Sequence, residues 1–245
     1  MPVIAHLSDP HLDASPGRLR RLEAVLEAVA SLPQVDAIVL SGDLADRGRL
    51  EEYAQLFAAL HSDVPTLVTP GNHDDSATMS SSLVQAGRDA SLVGILDVGE
   101  LRLIGLDSHI DGRDEGRLST ESLNFARAAA ASAVGEVILV LHHPPVPVGH
   151  DVADLWGLEN PEDLADLIAQ HPCVIALFTG HVHTAFAATF RGLPVLGAPG
   201  IVSTMRLGSK VDPIADDAAM PGLAVHVIAD ATIRTVFHYL SPAEL

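Results

Sequence analysis

Asp9 and His11 stand one residue apart in the string SDPH, and His181 and His183 stand one residue apart in GHVH. On an extended chain, residues i and i+2 face the same way, so each pair can point at one ion. Between them come Asp43 in SGD, Asn72 and His73 in PGNHD, and His142 and His143 in HHPP. The donors are carboxylate, imidazole and amide oxygen, with no thiolate. That set suits manganese, iron or zinc better than calcium or a soft metal. Asp9, His11, Asp43, Asn72, His142, His181 and His183 are too many ligands for one tetrahedral site and about right for two ions. Two-metal hydrolases hold their ions roughly 3.5–4 Å apart and clamp both oxygens of an in-line phosphoryl displacement. His181 and His183 lie about 6.6 Å apart along a strand, so each can serve a different ion. Asp43, alone in its cluster, is the natural bridge. Taken singly, each string is a turn signal; it is their joint occurrence that points to a site.

The elements between these strings must bring them together. Short apolar runs at Val3–Ser8, Val35–Ser41, Thr66–Thr69, Leu101–Asp107, Val137–Leu141 and Val174–Thr179 read as strands. Helical spacing predicts helices over Leu19–Ser31, Leu50–His61, Thr120–Ala131 and Glu162–Gln170. The tail from Ala185 to Leu240 holds several β-like runs, among them Ala224–Ile228 and Ile233–Tyr239, and suggests a second sheet packed on the first. Strands alternating with helices argue an α/β protein with covered sheets. Almost every strand ends in a polar string: SDPH, SGD, TPGNHD, LDSH, LHHPP, TGHVH. Sites in open α/β sheets form outside the carboxyl ends of strands, so the six strings would converge. Gly42, Gly71 and Gly180 each precede a candidate ligand, where a sharp turn or close backbone approach is needed.

Composition bounds the rest. The 245 residues are 48% apolar and 19% charged, with one Trp, two Tyr and six Phe, so the core must be aliphatic. Nothing divides the chain, which reads as a single domain over residues 1–245. A formal charge of −18 repels nucleic-acid backbones and anionic lipid, so neither a nucleic-acid polymer nor a membrane is an expected partner. The single cysteine, Cys173, excludes an intrachain disulfide and reads as a small buried hydrophobe. No run reaches the ~18 apolar residues a membrane span needs, and the first residues carry no basic leader. A cytoplasmic protein is the expectation.

The strings DPH, GD, GNHD, HH and GHVH, in this order, resemble the signature of the calcineurin-like metallophosphoesterases, most nearly the bacterial class III cyclic-nucleotide phosphodiesterases. The similarity runs from Val3 to about Gly200 and includes GDLADRG at 42–48, GNHDD at 71–75, LHHPP at 141–145 and TFRGLPV at 189–195. The resemblance implies two packed mixed β-sheets flanked by helices, with a dinuclear centre at the sheet edge. It implies one metal on Asp9, His11, Asp43 and His183, and a second on Asp43, Asn72, His142 and His181. Manganese and iron, Fe2+ or Fe3+, lead the expectation, with zinc as a further candidate. His73 matches the histidine that stabilises the transition state or protonates the leaving group, while His143 matches a second histidine of open role. Asp46 stands where purple acid phosphatases carry a ligand tyrosine, and Pro70 stands where protein Ser/Thr phosphatases place an arginine before the GNH string.

These readings imply a phosphodiesterase acting on small diesters, 3′,5′- or 2′,3′-cyclic nucleotides first, by attack of a metal-bridging hydroxide. Asp43, Asn72 and His73 would carry catalysis, with Asn72 and the metals on the equatorial oxygens and His73 as acid. His143, His109 and Met205 are candidates to line the substrate pocket. Asp74 is a candidate to orient His73. His6, His61, His150, His171, His226 and His238 read as structural or surface residues. The alternatives are a phosphomonoesterase or glycerophosphodiesterase of the same fold, a nuclease, and a metal-free scaffold. A nuclease would need a basic groove, and a scaffold should have lost ligands. A homodimer is expected from the resemblance, with loops Leu155–Leu158 and Ile201–Leu207 as its apolar contact.

Overall fold

The computed structural model describes residues 1–60, 63–206, 213–230 and 232–245. His61 and Leu207 therefore lie outside the described residues. Two mixed sheets carry the chain. The first takes β1 (Val3–Leu7), β2 (Ala37–Ser41) and β3 (Thr66–Thr69), which run parallel. The second takes β4 (Gly94–Val98), β5 (Leu101–Gly105), β6 (Val137–Val140), β7 (Val174–Thr179), β8 (Phe186–Phe190) and β9 (Leu193–Gly197) in the order β4-β5-β6-β7-β9-β8. In it β5, β6, β7 and β9 are parallel, and β4 and β8 are antiparallel edges. A two-residue ribbon pairs β10 (Thr204–Met205) with β11 (Ala215–Asp216).

The tail departs from expectation. Its strands divide between the two sheets: β8 and β9 join the second, and the last two strands join the first. β12 (Gly222–Ala229) returns to pair antiparallel with β1, and β13 (Thr232–Tyr239) closes the hairpin at the edge of the first sheet. The second sheet starts in the middle of the chain with β4 to β7, and the first strands of the tail complete it.

Helices α1 (Pro16–Ser31), α2 (Leu50–Ala59) and α3 (Ser76–Gln85) pack with the first sheet through Leu22, Val25, Tyr53, Leu56 and Met79. Helices α4 (Thr120–Ala131) and α5 (Pro161–Gln170) cover the second through Leu123, Ala126, Leu164 and Leu167. Between the sheets lies a third apolar layer, with Ile4, Val39 and Leu67 from one and Leu103, Ile138, Val140 and Phe178 from the other. The fold is thus four layers, α/β/β/α. Strands buried on both faces read as continuous apolar runs, as AIVLS and VILV do.

Sequence signals set the helix starts. Ser15 and Asp75 accept the backbone N–H of Arg18 and Thr78, Ser119 accepts that of Ser122, and Pro16 and Pro161 open α1 and α5. Cys173 is half-buried rather than buried. Among the described residues, no helix is long and apolar enough to cross a membrane.

Candidate metal centre

Five strands aim their carboxyl ends at one place. Asp9 and His11 follow β1, Asp43 follows β2, Asn72 and His73 follow β3, His142 and His143 follow β6, and His181 and His183 follow β7. Donor atoms of Asp9, His11, Asp43 and His183 all lie within 4.8 Å of one another. Asn72 Oδ1 lies 3.1 Å from His142 Nε2 and 3.0 Å from His181 Nδ1. Asp43 Oδ2 joins the two groups, 3.2 Å from His11 Nε2 and 3.4 Å from His142 Nε2. His11 Nε2 and His183 Nε2 face each other at 3.1 Å.

The backbone is shaped to allow this. Asp9, His11, Asp43, His181 and His183 all have φ between +42° and +72°. Such left-handed conformations cost non-glycine residues free energy and concentrate at functional sites. Gly42 has φ +98°, and a Cβ there would stand 2.3 Å from His142 Nδ1. A Cβ on Gly71 would stand 2.3 Å from both the backbone nitrogen and Oδ1 of Asp43.

Outer contacts fix the rings. His142 Nδ1–H donates to the Ser41 carbonyl at 2.7 Å, which turns Nε2 towards Asn72 and Asp43. His73 Nδ1–H donates to the Asp46 carbonyl at 2.9 Å, so its Nε2 is the acceptor nitrogen of the neutral ring. His183 Nδ1 bonds the Ser203 hydroxyl at 2.8 Å. The Asp46 carboxylate takes the Arg18 guanidinium, which also donates to the His11 carbonyl at 2.6 Å.

The buried carboxylates and imidazoles of the cluster shift one another. Burial pushes His11 and His142 down, but the Asp43 carboxylate beside each outweighs it and lifts them to about 10 and about 9. Burial likewise raises Asp43, yet those two imidazoles hold it well below the ordinary carboxylate range. Asp9, also pushed up by burial, stays raised. His181 and His183 are driven to about 3, by burial first and by neighbouring imidazoles second, and so are neutral ligand-type imidazoles. Asp9 Oδ2 and His181 Nε2 are buried with no hydrogen-bond partner. Orphaned acceptors of this kind, among neutral imidazoles and buried carboxylates, fit a pair of metal ions.

Other expected residues fall differently. A cavity of about 300 Å³ opens beside the cluster, with His73 and Met205 in its wall. His109 and His143 do not line it. His143 is fully buried: its Nε2–H donates to the Asp114 carbonyl at 3.2 Å and its Nδ1 accepts the Ser108 hydroxyl at 2.8 Å, so neither nitrogen is left for substrate. His109 Nδ1 bonds the Ser76 hydroxyl at 3.1 Å. Asp74 does not touch the His73 ring. Its carboxylate accepts the backbone N–H of Leu44, Ala45 and Gly71 and the Tyr53 hydroxyl, so it joins the Asp43 loop to the Asn72 loop.

Ile201 and Val202 are buried and offer no contact surface, whereas Leu155 is 69% exposed. Arg18 and Trp156 also line the cavity. Arg18 carried no motif signal, lying in the first turn of α1. Trp156 lay in a loop with no repeat or spacing around it.

Residues 2–185 match the calcineurin-like phosphoesterase family. A 3′,5′-cyclic adenosine monophosphate phosphodiesterase of Pseudomonas aeruginosa is 37% identical over 219 residues, covering 85% of this chain and 79% of its own. A glycerophosphodiester phosphodiesterase of Enterobacter lignolyticus is 30% identical over 217 residues, covering 82% and 77%. Among solved structures, a dimetal phosphatase from Danio rerio superposes with a TM-score of 0.70 at 14% identity, over 98% of this chain and 99% of its own, a likeness of fold. With its family match, its two sheets and the donors gathered at their edge, the chain belongs to the calcineurin-like phosphoesterases.

Proposed function

We propose that the protein is a dinuclear metal-dependent phosphodiesterase of small diesters, cyclic nucleotides first among them. The observation that carries this is the meeting of two donor sets on the single Asp43 carboxylate, with Asp9 Oδ2 left over as an orphaned carboxylate oxygen and His181 Nδ1 facing Asn72 Oδ1. Asp9, His11, Asp43 and His183 would hold one ion. Asp43, Asn72, His142 and His181 would hold the other, with Asp43 as bridge. Nitrogen and oxygen donors without thiolate favour manganese and iron, with zinc next. Such a pair, when bound, supplies Lewis acidity to a phosphoryl group and brings the pKa of water towards neutrality.

The chain's own residues do the rest. Asn72 offers its amide N–H to an equatorial phosphoryl oxygen while its Oδ1 faces His142 and His181. His73, once protonated at Nε2, delivers that proton to the leaving alkoxide, and the Asp46 carbonyl holds the ring to that tautomer.

A preference for diesters over monoesters follows from the arginines. A monoester dianion calls for a cation beyond the metals, and the arginines near the site are engaged. Arg18 pairs with Asp46, Arg47 lies 3.6 Å from Asp46, Arg113 and Arg117 pair with Glu159, and Arg206 lies 3.8 Å from Asp216. The relatives' names support the diester class. The −18 charge keeps nucleic-acid polymers and membranes outside the reading. For the expected homodimer, Leu155 offers exposed apolar surface, while in the second loop Ile201 and Val202 are buried and Thr204, Met205 and Arg206 are half-buried.

The test is turnover of bis-p-nitrophenyl phosphate against p-nitrophenyl phosphate at matched pH, with chelated and manganese-restored protein. Activity should vanish on chelation and return with metal, approaching two ions per chain. Full activity at one ion per chain overturns the dinuclear reading. A monoester preference above about tenfold, ~1.4 kcal/mol in the barrier, overturns the diester reading.

A further inference from the structure

The chain is poor in aromatics, and its core is aliphatic. Its one tryptophan is nevertheless not in that core. Trp156 ends a short 3-10 turn, Ala153–Trp156, is half-buried, and lines the cavity beside the metal donors. Across the described residues no ring or guanidinium stacks on it, and no acceptor takes its Nε1–H. Val202, Met205 and Ile214 give the same cavity further apolar wall. An indole placed where packing does not require it, beside a site for a phosphoryl group, is a platform for a flat ring.

The two walls are built to keep their places. The Asp154 carboxylate accepts the backbone N–H of Val148, Gly149 and His150, at 2.7, 3.0 and 3.1 Å, and so closes the turn that carries Trp156. The buried His150 ring then spans the cleft. Its Nδ1 accepts the N–H groups of Val152 and Ala153, each at 3.2 Å, and its Nε2–H donates to the Arg206 carbonyl at 3.0 Å. The backbone holding Trp156 is thereby tied to the backbone holding Met205. On the metal side, Leu158 N–H donates to the Pro144 carbonyl, two residues past His142, and Met205 N–H donates to the Thr184 hydroxyl, next to His183. Both walls are referenced to candidate ligands, so a ring between them would stand at a fixed place relative to the phosphoryl group.

We infer that Trp156 is a specificity-determining residue: it stacks the nucleobase of a nucleoside phosphodiester, with Met205 on the neighbouring wall and His150 as the positioning residue that links the two. This rests on the phosphodiesterase reading and narrows it, because a glycerophosphodiester has no ring to stack. A cavity of about 300 Å³ is at the lower end of sizes that bury a small organic ligand.

The lone tryptophan makes the test direct. On metal-loaded protein excited at 295 nm, 5′-AMP should quench the emission, and ribose 5-phosphate, which lacks only the base, should not. Trp156→Ala should raise KM for a cyclic nucleotide by roughly 5- to 150-fold, the range seen when a stacking ring is truncated, with kcat little changed. Trp156→Phe should restore most of the loss. Glycerophosphoglycerol, which has neither a ring nor a cation to place on an indole, should show a far smaller rise in KM in either variant, and unchanged metal content with an unchanged urea midpoint checks that they fold. His150→Ala should weaken nucleotide binding in the same selective way. Equal quenching by the two ligands, no quenching by 5′-AMP, or an equal rise in KM for both diesters would overturn the stacking role while leaving the phosphodiesterase standing. Failure of the unmutated protein to cleave either diester would instead overturn the phosphodiesterase reading itself.

Discussion

The Asp43 carboxylate accepts the His73 backbone N–H on Oδ1 at 2.9 Å and turns Oδ2 to His11 and His142, which belong to opposite halves of the cluster. Asp9 reaches one half, with Oδ1 3.6 Å from His183 Nε2. Asp43→Asn should therefore be the more damaging change and should lower the content of both metals. Asp9→Asn should chiefly empty one site. Elemental analysis of the two variants decides, and a worse Asp9→Asn removes Asp43 as the bridge. His73 differs from both in being exposed, with one nitrogen committed to the Asp46 carbonyl. His73→Ala should lower kcat by roughly 10²–10⁴, the range of a general acid, with metal content intact. An activated p-nitrophenolate leaving group should partly rescue it. Metal loss in this variant would make His73 a ligand.

At the scale of elements, the question is what holds the ends of β2 and β3 in register. Asp74 does much of this, because its buried carboxylate takes three backbone N–H groups from the loops after β2 and β3 and the Tyr53 hydroxyl from α2. Each buried donor left without a partner costs about 1–3 kcal/mol. Asp74→Ala should thus destabilise by about 3 kcal/mol or more in urea unfolding and also weaken metal binding, although Asp74 is no candidate ligand. Stability loss without any change in metal affinity would show that the loops hold their places unaided. Gly71→Ala is the sharper probe of the same junction. A methyl 2.3 Å from Asp43 Oδ1 must displace that carboxylate, so metal binding should fail even where the fold persists.

Over the whole molecule, acid sensitivity is set between the sheets as well as at the metal centre. His6 Nδ1 lies 3.2 Å from His226 Nε2, His6 stacks on Phe178, and the outer nitrogens meet Ser41 and Thr235 hydroxyls. Burial pushes His6 down to about 3, and burial with the His6 neighbour pushes His226 well below its ordinary value. An unfolded histidine titrates near pH ~6.5. Both rings are neutral in the folded state, so the unfolded chain binds more protons below that pH. The contribution of these two rings is then constant above about pH 6.5 and falls as the pH drops towards 3, by about 1.4 kcal/mol per pH unit for each ring. His226→Gln keeps a hydrogen-bonding side chain without titration. Its urea midpoint should fall less steeply than that of the unmutated protein between pH 6.5 and 4.5. Parallel slopes would mean that His226 is charged in the folded state.

The sequence by itself determined the donors and their order, because ligand chemistry needs particular atoms gathered at strand ends, although left-handed backbone at Asp9, His11, His181 and His183, and not the extended i, i+2 alternation expected, turns each pair into the site. Asp9 with His11 and His181 with His183 were legible on that ground, as were the strand runs AIVLS and VILV, whose burial on both faces leaves an unbroken apolar signal. Helix α3 was not legible. Its segment SATMSSSLVQ is rich in serine, and Met79 and Leu83 are its only large buried side chains, too few to mark a helical face. The edge strand β4 alternates between half-buried and exposed residues and gave no apolar run. The return of β12 to β1 was also beyond reach, since pairing residue 3 with residue 227 is a long-range choice that no local pattern encodes. Roles that depend on what lies opposite were likewise decided by tertiary structure. His143 looked like a substrate group until Ser108 and Asp114 took both its nitrogens, and Asp74 looked like a partner of His73 until its oxygens met backbone amides from two loops. Trp156 entered the sequence reading only as part of the apolar loop Leu155–Leu158, because its place in a wall shared with Met205, 49 positions further along the chain, is set by tertiary structure.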